Sequence, residues 1–558
     1  MNGKKIFVVG LDGATFDVIR PMVEAGKLPT FAKIMAEGAY GNLRSTIPPV
    51  TPPAWASFMT GKNPGKHGVY SFYAFVNGSY EAQLATGQSI RAKRLWDYFN
   101  NDRVALIDIP MSFPPQQING YMISGWPVPS EESLFTYPPE LHTEIMQEVG
   151  EYVIDKTFIG RSMKMLQEGN GIEALAYLAK FSQQRKDAAL YLLKNKGPFD
   201  FFMVVFRGPD FIQHILFKVF DEEYAKRNPT FCKKYQGAIF QFYEKMDRYL
   251  AELMEAAGKE TTVIVLSDHG AGPVRKRFYI NRWLKKEGFL HTRKWMSQRS
   301  IKVDRKPLSY FLDRTGFSFL NRSVFSSIRQ LHIPYPRRHQ KHPSLLVDWD
   351  RTSAFAILIL TDGIIRINLA GREPAGIVSQ ANYDKVRAEI IRKLKEVVDP
   401  DTGETVIEEV YRREDIYSGP YLNEAPDLIV VPRDYSYDFS PNLDDGILLE
   451  RPEGLKGTHR MDGIFFAIGR HVKAGTALSN INITDIAPTI LYLMGKPVPD
   501  DMDGRVINEA FDEEYFKINP PKYYKVNDNI SPKADPQELL TEDQETIMNA
   551  LKGLGYME

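Results

Sequence analysis

Six short apolar runs, each closed by glycine, proline or aspartate, constrain this chain more than any other feature: KIFVVGLDG, RVALIDIP, DFFMVVFRGPD, TVIVLSDHG, DLIVVP and GIFFAIG. They are too short for ordinary helices and lack the polar alternation of a half-exposed strand. They read as buried strands of a largely parallel sheet. Helical patterns lie between them, as at 171–195 and 231–257. Alternation of strand and helix predicts an α/β sandwich.

A chain of 558 residues exceeds one ordinary core, so more than one domain is expected. The strand–helix rhythm assigns 1–275 and 436–510 to a discontinuous catalytic core. It breaks over 276–349, a basic stretch rich in aromatics (Trp283, Trp295, Tyr310, Phe311, Phe317, Phe319, Phe325) that reads as an insertion or lid. A small α+β subdomain is predicted over 350–435, with strand-like FAILIL and GIIRINLA, an amphipathic helix at 383–397 and a hairpin turning at Thr402-Gly403. The tail, 511–558, opens Pro-rich and closes with a helix-like segment at 536–554.

The formal net charge is zero, yet residues 276–342 hold 17 Lys/Arg against 3 Asp/Glu, a local excess of +14. Such asymmetry points to an anionic partner, either the substrate or a membrane surface or polyanion; a solvated helical insertion with a basic face is the structural alternative. No groove-binding motif accompanies it, so nucleic acid is not the expected partner. The single cysteine, Cys232, excludes an intrachain disulfide framework and a Cys-based metal site. No apolar run reaches the roughly 18–20 residues of a membrane span, and no signal-peptide core is present. A cytoplasmic location is the expectation.

Seven side chains in five short segments suggest the chemistry: Asp12 in GLDG, Thr51 in PPVTPPAW, Asp210 and His214 in GPDFIQH, Asp268 and His269 in LSDHG, and His459 in KGTHR. Asp12, Asp210 and Asp268 each follow a predicted strand, and carboxyl ends of parallel strands are where α/β folds place ligands. Three converging carboxylates repel one another unless cations neutralise them. Carboxylate and imidazole ligands suit two divalent ions of the zinc or manganese kind. Asp210 and His214, four apart, share one face if GPD opens a helix. Each pair alone could equally be a cap or a core hydrogen bond; the five segments together are what point to metal.

Thr51 precedes Pro52-Pro53, an N-cap followed by N1 proline. The bland reading is a capping threonine. The functional one is a nucleophilic hydroxyl at a helix N-terminus, where free N–H groups would face an incoming phosphate. The following TGKNPGKHG loop is not a P-loop; Gly61 reads as a helix C-cap and His67 as a structural hydrogen-bonder. Lys93, Arg94, Trp126 and Arg207 lie near predicted element ends and are candidates to touch substrate.

LDG, then P-x-x-T-x-P with T-G-x-x-P-x-x-H-G, then D-x-x-x-H, S-D-H-G and G-x-H together resemble the alkaline phosphatase superfamily, in its type I phosphodiesterase/nucleotide pyrophosphatase branch. RLWDYF, DIPMSFPP, GREPAGIV, EAPDLIVVP and LKGLGY are similar to segments of the predicted phosphohydrolase/phosphomutase proteins of bacteria and archaea. The resemblance implies an alkaline-phosphatase-like three-layer sandwich and two metal sites. Asp12, Asp268, His269 and the nucleophile Thr51 would hold one ion; Asp210, His214 and His459 would hold the other, which would activate water in a second half-reaction. Thr51 stands where the sulfatase branch carries Cys or Ser, with Trp55 four residues on, so sulfatase activity is not implied.

The expected activity is a two-metal phosphohydrolase, more diesterase- than monoesterase-like, working through a phosphothreonine on Thr51. The alternatives are a phosphotransferase that delivers the group to a lipid or glycan alcohol, and a catalytically dead binding protein on the same scaffold.

Overall fold

In a computed structural model of the chain, residues 5–75, 78–293, 346–356, 363–452, 457–526 and 547–548 are described. The expected basic lid therefore falls outside the described residues from 294 to 345, as does nearly all of the tail helix expected at 536–554.

A nine-stranded sheet organises the molecule, in the order Thr476–Asn482, Ala39–Arg44, Asp462–Ile468, Thr261–Leu266, Lys5–Leu11, Phe201–Phe206, Val104–Ile109, Gly120–Ser124, Thr136–Tyr137. All run the same way except Asp462–Ile468 and Thr136–Tyr137. The three central apolar runs are buried along their whole apolar length, as expected of strands covered on both faces. Helices flank the sheet, among them Gly171–Asn195 and Pro229–Ala257. This is the α/β sandwich with a mainly parallel sheet that the apolar runs predict.

Two runs depart from the expectation of parallel strands in one sheet. GIFFAIG forms Asp462–Ile468, which pairs antiparallel with both neighbours, Ala39–Arg44 and Thr261–Leu266. DLIVVP forms Leu428–Pro432 in a separate four-stranded sheet, antiparallel to Ile407–Arg412 and Ile364–Ile367. An all-apolar run signals burial on both faces but carries no information on strand direction or on which sheet it joins.

That second sheet has its own hydrophobic core, in which Trp283, Trp349, Ile365, Ile367, Ile390 and Val430 take part. The helix Tyr383–Lys395 packs on it with Tyr383, Ile390 and Leu394 buried. The GREP and EAPD segments meet there. Arg372 bonds Asp427 through both terminal nitrogens, at 2.8 and 2.6 Å, and Glu373 pairs with Arg366 at 2.8 Å. These two motifs thus knit the smaller unit together and lie apart from the carboxylate cluster. The smaller unit is tied to the larger by Tyr70 Oη to the Tyr421 carbonyl (2.6 Å) and by Arg91 with Glu424 (2.5 Å). Among the described residues, no helix is long and apolar enough to cross a membrane.

A candidate two-metal active site

Asp12 directly follows the strand Lys5–Leu11, and Asp268 lies two residues beyond Thr261–Leu266. Phe201–Phe206 ends at Arg207, the N-cap of the helix Gly208–Leu216, which carries Asp210 and His214. These three adjacent strands therefore deliver their carboxylates to one edge of the sheet. His459 arrives from a two-stranded ribbon in which Gly457–Arg460 pairs antiparallel with Gly270–Pro273 and sets His459 opposite Ala271.

All seven expected side chains come together, and all are buried. His214 Nε2 lies 3.3 Å from Asp210 Oδ1 and 3.1 Å from His459 Nε2. His269 Nε2 lies 3.3 Å from Asp268 Oδ2, 3.7 Å from Asp12 Oδ1 and 3.3 Å from Thr51 Oγ1. Two triads emerge whose ligand atoms lie within 4.8 Å of one another: Asp12–Asp268–His269 and Asp210–His269–His459. His269 stands between them, and its ring stacks on that of His459 at 3.8 Å.

Electrostatics shows why such a cluster calls for cations. Burial, then repulsion from Asp268 and Asp210, raises Asp12 well above the carboxylate range. Burial and Asp210 push Asp268 up to about 8. Burial opposes ionisation of Asp210 too, but His214 and His459 outweigh it and hold that carboxyl well below its usual value. Burial, then His459, brings His269 down to about 4, and burial also lowers His459. Neutral imidazoles are the ligating form.

The residues present fit two cations. Asp12 Oδ1 and Asp268 Oδ2 are buried with no hydrogen-bond partner. His459 Nδ1 faces the Pro49 carbonyl at 2.7 Å and His269 Nδ1 faces that of Gly270 at 3.0 Å. A carbonyl only accepts, so each Nδ1 carries the proton and each Nε2 turns a lone pair into the cluster.

Two side chains that the sequence reading did not assign hold the carboxylates in place. Trp55 Nε1 donates to Asp12 Oδ2 at 2.9 Å, and Gln213 Nε2 donates to Asp210 Oδ1. Gly10 makes the first contact possible, since a Cβ there would sit 2.7 Å from Cη2 of Trp55. The Gly13 N–H, in a left-handed turn (φ 68°), donates to Asp268 Oδ1 at 3.2 Å.

Thr51 is not the cap of its helix. Val50 takes that position, its carbonyl accepting from Ala54 N–H at 3.1 Å, and Thr51 begins the helix Thr51–Thr60 with its hydroxyl turned to His269. The expected row of free N–H groups is reduced as well. Pro52 and Pro53 have none and that of Ala54 is engaged, which leaves the N–H of Thr51 itself. Gly61 ends the helix in the left-handed conformation (φ 67°), as a C-cap should. His67 is buried, its Nδ1 accepting from Val69 N–H and its Nε2 facing Ser57 Oγ at 2.9 Å. The loop lysines are taken up by carboxylates, Lys62 by Asp501 and Lys66 by Asp503.

Of the four candidate substrate contacts, Arg207 adjoins the cluster. It is buried and pairs with Asp155 at 2.6 Å, and its charge bears on Asp12 and Asp210. The other three make their contacts elsewhere. Lys93 is exposed near the ring of Tyr98, Arg94 is buried on the Gly87 carbonyl, and Trp126 packs edge-on against Phe72 at 5.3 Å.

The family model described as "Type I phosphodiesterase / nucleotide pyrophosphatase" matches residues 6–462. Among solved structures, phosphonoacetate hydrolase from Sinorhizobium meliloti is similar in fold at 15% identity and a TM-score of 0.50, over 88% of this chain and 95% of that one. Murine ectonucleotide pyrophosphatase/phosphodiesterase 5 aligns at 13% identity and a TM-score of 0.49, over 91% of this chain and 100% of the other. No curated protein matches the chain by sequence.

Proposed function

Because the chain belongs to the type I phosphodiesterase/nucleotide pyrophosphatase family, and is thus a phosphoester hydrolase of a family that depends on metal, we propose that it is a two-metal phosphodiesterase that carries the phosphoryl group on Thr51. The observation that supports this reading best is the position of the Thr51 hydroxyl, buried and 3.3 Å from Nε2 of His269, the imidazole shared by the two carboxylate–histidine triads.

Asp12, Asp268, His269 and Thr51 would hold one cation and Asp210, His214 and His459 the other. Their nitrogen and oxygen donors make zinc the first candidate and manganese the second. When bound, two divalent cations supply Lewis acidity and lower the pKa of coordinated hydroxyls, water falling from about 15.7 to about 7. In the proposed course, Thr51 Oγ1 attacks phosphorus, the bond from phosphorus to the leaving alcohol's oxygen breaks in line on the far side, and the proton that Oγ1 gives up passes through solvent to that oxygen. Water then hydrolyses the phosphothreonine from the Asp210/His214/His459 side. Trp55 and Gln213 keep Asp12 and Asp210 oriented throughout.

The test is turnover of bis(4-nitrophenyl) phosphate with added zinc or manganese by the wild type and by Thr51→Ala. A loss of at least 10³-fold in kcat is expected on removal of a covalent nucleophile. Full turnover by the alanine variant would overturn the assignment. A transfer product formed with added alcohols would redirect it to phosphotransfer.

A further inference from the structure

The stretch that leads into the helix Thr51–Thr60 is stiff and is held by its carbonyl oxygens. Residues 47–53 read IPPVTPP, and each of the four prolines fixes φ at about −65° and lacks an N–H. Three carbonyls in a row are engaged. That of Ile47 accepts from Tyr417 Oη, and that of Pro48 accepts from Thr46 Oγ1 at 2.9 Å and Val50 N–H at 3.0 Å. That of Pro49 accepts from His459 Nδ1 at 2.7 Å. Two of these donors come from far along the chain. His459 belongs to the buried cluster; Tyr417 does not.

Tyr417 lies between Ile407–Arg412 and Leu428–Pro432, two paired strands of the smaller sheet. Its ring is nonetheless buried in the core of the larger unit, 5.3 Å from that of Tyr70. The residues after it grip the chain just past the Gly61 cap, beyond the far end of the same helix. Ser418 N–H donates to Asn63 Oδ1 at 3.1 Å, and Tyr421 N–H donates to the Gly65 carbonyl at 3.0 Å. The approach at Gly65 is close: a Cβ there would stand 2.6 Å from the Ser418 carbonyl oxygen. One short segment of the smaller unit therefore brackets the helix Thr51–Thr60, with Tyr417 at the end that bears the hydroxyl.

We propose that Tyr417 is a positioning residue for Thr51, through which the smaller unit sets the place of the attacking hydroxyl. The proposal rests on the Thr51 reading of the cluster. The proline-locked stretch carries the effect. With φ fixed at its prolines, a shift of the Ile47 carbonyl passes along to Thr51 instead of being taken up by backbone rotation. A misplacement of about 1 Å can cost about 10²-fold in rate. The carboxylates and imidazoles of the cluster come from other elements, namely the strand ends, the helix Gly208–Leu216 and the ribbon that carries His459. Cation affinity therefore does not hang on Tyr417.

The test is single-turnover release of 4-nitrophenol from bis(4-nitrophenyl) phosphate by an excess of zinc-loaded full chain. At saturating enzyme an inactive fraction leaves the rate constant unchanged, so partial unfolding cannot mimic the effect. Tyr417→Phe keeps the ring and removes the bond to Ile47. It should lower the rate constant at least about fivefold, with zinc affinity in chelator competition within about twofold of the wild type. Pro49→Ala frees φ at one link of the stretch and leaves Tyr417 in place. It should show the same selective loss, and it decides the matter if the phenylalanine variant does not fold. Arg91→Gln breaks another contact between the units, the pair with Glu424, and should leave the rate constant within about twofold. A loss under about fivefold in either folded variant of the stretch, an equal loss in Arg91→Gln, or a parallel fall in zinc affinity would overturn the proposal. Equal release by the wild type and by Thr51→Ala is a different failure, that of the Thr51 reading itself, and it removes the nucleophile that Tyr417 would position.

Discussion

Trp55 Nε1 donates to Asp12 Oδ2 at 2.9 Å, so the helix that presents Thr51 also fixes the carboxylate opposite it. Trp55→Phe keeps most of the packing and removes this one bond. Partners that orient metal ligands are typically worth about 10–100-fold in metal affinity. A drop of that size is expected in chelator competition. Unchanged affinity would show that Asp12 holds its orientation without the indole.

Gly10→Ala should reach the same contact from beneath. The added Cβ would meet Trp55 at 2.7 Å and Val205 at 2.8 Å. Overpacking of this kind costs roughly 1–3 kcal/mol. Chemical denaturation should show the loss, and metal affinity should fall with it because the indole is displaced. A variant as stable as the wild type would mean that the strand shifts freely, contrary to its burial.

Removal of metal should expose the strain in the carboxylate cluster. Asp268 stands at about 8 in the folded protein, against about 4 when unfolded. The fold therefore favours the protonated acid, and its contribution is complete below about pH 4 and lost as pH rises through about 8. Metal-free protein should melt progressively lower between pH 5 and 9. Asp268→Asn should flatten that decline, and zinc added at pH 8 should restore the melting temperature. Identical pH profiles with and without zinc would contradict the metal assignment.

His67 predicts the opposite slope. Burial, then Arg91 and Lys62, brings it down to about 3. Its neutral form is the folded form, so its contribution is complete above about pH 6.5 and lost as pH falls towards 3. His67→Gln should remove close to one proton from the acid side of the stability curve, about 1.4 kcal/mol per pH unit. Parallel curves for wild type and variant would refute this.

In the smaller unit, Asp427→Asn leaves Arg372 short of a buried partner that it holds at 2.6 Å. Breaking such a pair costs roughly 3–5 kcal/mol. Urea unfolding should show a transition shifted by that amount, with metal affinity unaltered. A shift under about 1 kcal/mol would mean that Glu373 takes over the arginine.

The sequence carried the strands and the seven-residue cluster because both leave local marks. Apolar runs such as KIFVVG end where a carboxylate begins, and Asp210 and His214 sit one helical turn apart. What it did not carry depends on distance along the chain. Nothing near Trp55 announces a bond to Asp12, and nothing in 150–157 announces that Asp155 will meet Arg207. The antiparallel direction of Asp462–Ile468 was equally hidden, since burial on both faces looks the same in either direction. Val50, not Thr51, capping the helix is a one-residue difference that turns on where a single hydroxyl points.

The late strand Asp462–Ile468 has a consequence for biosynthesis. It fills the gap between Thr261–Leu266 and Ala39–Arg44, and it follows His459 almost at once. A chain still on the ribosome, short of these residues, has a sheet in two parts and lacks the His459 imidazole of the buried cluster. It leaves the apolar edge of Thr261–Leu266 uncovered, a hazard of the kind that invites aggregation or calls for a chaperone. His459, the last imidazole of the cluster, lies three residues before that strand, so the growing chain gathers the cluster only as its core shuts.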